Sequence, residues 1–224
     1  MIFMNKRNLL ELRDSIRRRG FWVDIVADEF VLDSWYSKSN FDELVSLLNQ
    51  LRLSIQVGEK GIRVNSDSLQ SNLLVQIETV LSEDVKHTNT RCEMPEFWMN
   101  NEENDLSILD LDRGIAALVF ALNKVGYQTS MSCDGHGRRE PNIWFNHQSY
   151  IEEINNLLVS ASKENSFAYD WEIKKERIGF ALTARKRLAS EAWDVRKIQD
   201  DVFTFSSFIL KENSLNNRKI EIGR

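Results

Sequence analysis

Apolar residues at Leu9, Leu12 and Ile16 follow helical spacing up to Gly20, so the chain from Asn8 onward opens on a helix. Residues 21–26 and 30–35 are rich in aromatic and β-branched side chains around Ala27, Asp28 and Glu29, which predicts two strands and a tight turn. Asn40 stands at a capping position before Phe41, Leu44, Leu47, Leu48 and Leu51, the apolar face of a second helix. Residues 54–57 and 62–64, joined through Gly58 and Gly61, read as a hairpin. Leu73, Leu74, Ile77 and Leu81 predict a third helix over 68–81.

Residues 83–108 break the pattern, being polar and irregular, with a short strand or docking segment expected at Phe97 and Trp98. The order then starts again. A helix over 114–124 is capped by Asp112 and ended by Gly126, and strands follow over 126–132 and 142–147. Ser149 caps a helix over 150–162, apolar at Ile151, Ile154, Leu157 and Leu158. Strands over 167–173 and 178–183 make a second hairpin, and a last helix over 188–210 carries Trp193, Ile198, Val202, Phe205 and Phe208.

Both halves thus read helix–strand–strand–helix–strand–strand–helix. Gly126 follows Gly20 by 106 residues, and Ile151 follows Phe41 by 110. Four additional residues in the second copy are assigned to the hairpin after Ser132, because surface loops absorb insertions that core elements cannot. The expected fold is α+β, a tandem duplication of an αββαββα unit with antiparallel sheets covered by helices. Its first repeat spans 1–82 with a plain hairpin turn. A polar connector spans 83–109, and the second repeat, 110–224, carries the specialised loop and a long C-terminal helix.

Composition narrows the class without naming it. The chain has 224 residues, 42% hydrophobic and 28% charged, with only 9 Gly and 2 Pro, which argues against long disordered linkers. A net charge of −5 weighs against a generic nucleic-acid grip, although a local basic patch survives in an acidic whole. Cys92 and Cys133 make no disulfide framework, so reduced thiols in a cytoplasmic protein are expected. The N-terminus has no signal-peptide pattern, and the longest apolar run, residues 115–122, falls far short of a membrane span.

Chemistry concentrates between Ser130 and Pro141. Cys133 and His136 share the C-x₂-H spacing by which one loop supplies a thiolate and an imidazole to a tetrahedral metal such as zinc. Cys92, His87 or Asp134 are the further ligands to consider, whereas His147 lies about six residues along a strand, roughly 20 Å away. A second reading is an anion site, with Ser132, Asp134, Gly135, Gly137, Arg138 and Arg139 as ligand-binding residues. The glycines would free backbone N–H groups and the arginines offer planar bidentate donors. Arg185, Lys186 and Arg187 join them if their strand lies beside the hairpin; the plain alternative is a solvated turn balanced by Glu140. A third reading pairs Cys133 with His136 for nucleophilic catalysis, Asp134 assisting, against a Cys133 that simply points into the core.

Trp98, Trp144, Phe145, Tyr169, Trp171 and Trp193 read as core, and the Arg17-Arg18-Arg19 run complements a helix dipole. Residues 118–123 followed by 127–136, with Ser132, Cys133 and Gly135, resemble the helix–strand–loop of the wybutosine-synthesis tRNA methyltransferases of the third step. Asp134 and His136 differ from that family's Ser-Cys-small-Gly-Arg loop, and Gly137 to Glu140 lengthen it. The resemblance implies a duplicated α+β unit, S-adenosylmethionine and a tRNA substrate. The leading expectation is a small-ligand protein, enzyme or sensor, binding an anionic, nucleotide-like group at the 133–139 loop. A tRNA-modifying methyltransferase is one alternative. The other is an interaction protein with a structural or zinc-bound loop, docking through Phe203, Phe205, Phe208 and Ile209.

Overall fold

The structure is a computed structural model. It describes residues 4–36, 38–59, 61–66, 69–81, 84–85, 107–145, 147–177 and 179–222, with side chains through 215 in the last helix. The chain divides into two compact units, Met1–Arg113 and Gly114–Arg224. The first holds α1 (Lys6–Arg19), β1 (Val23–Val26), β2 (Glu29–Leu32), α2 (Lys38–Gln50), β3 (Ile55–Val57), β4 (Gly61–Val64) and α3 (Ser71–Thr79). The second holds α4 (Ala116–Lys124), β5 (Thr129–Cys133), β6 (Asn142–Phe145), α5 (Ile151–Glu164), β7 (Asp170–Glu176), β8 (Gly179–Arg185) and α6 (Val195–Ile222). Each unit has one antiparallel four-stranded sheet, ordered β1-β2-β4-β3 and β5-β6-β8-β7, so element order and strand order both repeat. Among the described residues, no helix is long and apolar enough to cross a membrane.

In the first unit α1 buries Leu9, Leu12 and Ile16 against Phe21, Phe30, Leu44, Leu48, Ile62 and Ile77. Gly20 ends α1 at φ 114, its N–H donating to Arg17 O at 2.9 Å. Arg19 departs from the simple dipole role: its side chain is fully buried. Its guanidinium donates to the carbonyls of Val80 (2.8 Å), Ile108 (3.1 Å), Leu109 (3.0 Å) and Leu111 (3.3 Å). Asn40 does not cap α2, which begins at Lys38; its Oδ1 accepts from Ile108 N at 3.2 Å. The end of the polar connector is therefore packed into the first core, where Ile108 and Leu109 are buried. Phe97 and Trp98 lie outside the described residues.

In the second unit α4 is buried along its length, and α5 and α6 bury Ile154, Leu158, Ile198, Val202 and Phe205. Two expected caps shift. α4 starts behind Ile115 without a side-chain cap, and a single 3₁₀ turn, Gln148–Tyr150, leads into α5. The last helix starts later than expected, at Val195, where Asp194 Oδ1 accepts from Arg196 N (2.9 Å), and it runs on to Ile222.

The hairpins that open the two sheets differ as expected, with a correction in size. Ala27 and Asp28, both left-handed at φ 50 and 65, make a two-residue turn between β1 and β2. The corresponding loop between β5 and β6 has eight residues, 134–141. It is six residues longer and its leading strand one longer. The link from the second strand to Ile151 is three residues shorter than the link to Phe41, which returns the four-residue difference.

Candidate functional site

Two contacts set the direction of β5 and a third seats the loop that follows it. Asn123, near the end of α4, accepts from Thr129 N (3.0 Å) and donates to Thr129 Oγ1 (2.9 Å), fixing where the strand begins. Asp134, 3% exposed, accepts through Oδ2 from Gly114 N at 3.1 Å and through Oδ1 from His136 N at 2.9 Å. Gly114 is required there by close approach: a Cβ would stand 2.7 Å from Asp134 Cβ.

Past Asp134 the backbone makes one tight turn with three consecutive positive φ angles, 76° at Gly135, 50° at His136 and 70° at Gly137. Glycine at 135 carries that conformation without penalty and lets the Glu140 carbonyl pass, which a Cβ would meet at 3.3 Å. His136 is a non-glycine residue held in the left-handed region by the Asp134 carboxylate at its N–H. The turn brings Cys133 Sγ to 3.6 Å from His136 Nε2, while His136 Nδ1 lies 3.3 Å from Asp134 Oδ1. Gly135 N donates to Cys133 Sγ at 3.3 Å. The half-buried thiol thus faces the exposed imidazole and does not lie in the core.

Four backbone N–H groups of the loop are engaged within it. The N–H groups of Gly135 and His136 point at Sγ and Asp134, and those of Arg138 and Arg139 at Gly135 O (2.9 and 3.1 Å). Arg138 and Arg139 are exposed and, among the described residues, neither guanidinium has an ion-pair partner. Glu140 does not balance them: its carboxylate binds Lys174 Nζ at 3.0 Å.

The remaining candidates separate. His147 sits at the far end of β6, its ring 5.5 Å from that of Tyr150. Ser132 is half-buried on β5. Cys92 and His87 lie outside the described residues. Trp171 Nε1 donates to Asp201 Oδ2 at 3.0 Å, and Tyr169 is buried, its ring centroid 5.0 Å from that of Trp193. Gly114 carried no signal in the sequence beyond opening the helix expected over 114–124.

No family model, no curated protein and no solved structure matches this chain.

Proposed function

We propose that the Cys133–Arg139 loop is a small-ligand site built on a divalent transition metal of the zinc class, in a protein that works in the cytoplasm. The observation that carries this reading is the 3.6 Å between Cys133 Sγ and His136 Nε2. A tetrahedral zinc with bonds of about 2.3 Å to sulfur and about 2.05 Å to nitrogen separates its two ligand atoms by about 3.5 Å. The surroundings suit both ligands. Asp134 stands at the other ring nitrogen of His136, the arrangement that orients a metal-binding imidazole. The Gly135 N–H donates to Sγ at 3.3 Å and fixes the sulfur in place. A thiolate with an imidazole selects zinc over the hard cations, and a reducing cytoplasm keeps the thiol available.

The test is native mass spectrometry with elemental analysis of the purified protein. The wild type is expected to carry about one equivalent of zinc, and Cys133→Ser and His136→Ala to lose it while keeping their circular dichroism. A wild type that refuses zinc at micromolar concentration overturns the reading.

The same contacts support a second reading, a thiol nucleophile with His136 as base and Asp134 as its orienting acid, the order seen in thiol–imidazole–carboxylate sites. It separates from the first by alkylation. Cys133 in a metal-free nucleophile reacts with iodoacetamide far faster than free cysteine, whereas a zinc-bound thiolate is protected until a chelator is added.

A further inference from the structure

The register of the second sheet gathers cationic side chains at the edge where the loop lies. Asn142, the first residue of β6, pairs with Thr183, so Arg185, Lys186 and Arg187 continue past the point where the 134–141 loop enters the sheet. Thr183 Oγ1 donates to Pro141 O at 2.9 Å and holds the two together. Arg185 and Arg187 share one carboxylate, Asp170, at 3.7 and 3.1 Å. Lys186 Nζ lies over the Trp193 ring, 4.9 Å from its centroid. The loop reaches the same tryptophan: a Cβ on Gly137 would stand 3.7 Å from Trp193 O. Arg138 and Arg139, both exposed, follow Gly137 directly in the loop. Among the described residues, Asp170 is the one acid paired with any of these five cations, in a chain whose net charge is −5.

Positive charge against the background of the whole chain, next to a metal-ligand pair, has a chemical meaning. Among the described residues of the second unit, side chains supply two donors, Cys133 and His136, to an ion that takes four ligands. We infer that the site binds a small oxyanion, a phosphate- or carboxylate-bearing molecule, with one oxygen on the metal and its remaining charge met by Arg138 and Arg139. This rests on the metal reading above. The guanidinium groups suit it because their planar N–H pairs match two oxygens of either group, and because the backbone N–H groups of Gly135, His136, Arg138 and Arg139 are already engaged.

The experiment is calorimetric titration of the zinc-loaded protein with inorganic phosphate and, separately, acetate, repeated on chelator-treated protein and on the double variant Arg138→Ala/Arg139→Ala. Zinc-loaded wild type binds at least one of the two anions. The double variant keeps its zinc and loses about ten- to a hundredfold in anion affinity, the worth of a charge-assisted bidentate contact. Removing zinc weakens binding as well. Zinc-loaded protein that binds neither anion, a double variant that binds as tightly as its parent, or metal-free protein that binds unchanged overturns the inference and leaves the metal reading standing. Failure of the wild type to load zinc takes both away.

Discussion

His136 Nε2 faces Cys133 Sγ at 3.6 Å across a turn of only two intervening residues, Asp134 and Gly135. Adjacent loop residues seldom hold such a pair in place unaided. Here the pair is held because one buried carboxylate, Asp134, grips the His136 N–H, stands at its ring Nδ1 and ties the turn to Gly114.

That dependence gives a mutational test. Asp134→Asn preserves shape but removes the charge beside Nδ1, and loss of such an orienting group typically lowers metal affinity about ten- to a hundredfold. Gly114→Ala acts from the other side, forcing a Cβ into Asp134 at 2.7 Å, and is expected to weaken zinc by a similar factor. Competition with a chromophoric chelator measures both. An unchanged affinity in Asp134→Asn would show that His136 needs no orienting partner.

Arg19 tests the first unit. Burial lowers its guanidinium pKa to about 10, opposed by the charge of Glu43, so it stays cationic at neutral pH. Arg19→Ala strips partners from four carbonyls in a dry environment, each unpaired group costing about 1–3 kcal/mol before relaxation. A loss of at least about 3 kcal/mol in urea-derived stability is expected, with Arg19→Lys intermediate because an ammonium cannot span the same set. A loss under about 1 kcal/mol would mean that water or neighbouring groups replace those contacts.

Asp201 predicts a pH dependence. Desolvation raises its carboxyl above the ordinary 3.8, against the lowering effect of the N–H groups of Ala168, Trp171 and Tyr169 and of Arg187. An acid whose folded pKa is raised favours the folded state while protonated. Its contribution is full below the unfolded pKa and is lost as pH rises through the folded one. Relative to Asp201→Asn, whose side chain does not titrate, the wild type should lose stability as pH climbs from about 3.8. Urea midpoints measured from pH 3.5 upward check this; a stability difference constant with pH would contradict it.

The periodicities of 3.6 and 2 made the element order legible, because Leu9, Leu12 and Ile16 or Ile151, Ile154 and Leu158 each bury one face. Cap positions were less legible. Asn40, Asp112 and Ser149 are good capping residues by type, yet Asn40 is drawn to Ile108, a partner 68 residues away that local pattern does not reveal. The buried role of Arg19 was hidden for the same reason, since a basic residue at a helix end already has a local explanation in the dipole. At the loop, the C-x₂-H spacing located the chemistry, but the φ angles that turn His136 back toward Cys133 depend on Asp134 and the tertiary seat at Gly114. That the N–H groups of Gly135, His136, Arg138 and Arg139 bond within the turn was not legible either, because it follows from the same tertiary seat.

The most direct measurement is the optical spectrum of the protein titrated with cobalt(II) in place of zinc. A metal held by Cys133 and His136 gives a near-ultraviolet thiolate-to-cobalt charge-transfer band and intense visible bands typical of tetrahedral coordination, saturating at about one equivalent and bleached by zinc. Cys133→Ser should abolish the charge-transfer band, and His136→Ala should shift or weaken the visible bands. A wild-type spectrum indistinguishable from aqueous cobalt, or a charge-transfer band that persists in Cys133→Ser, would contradict the assignment.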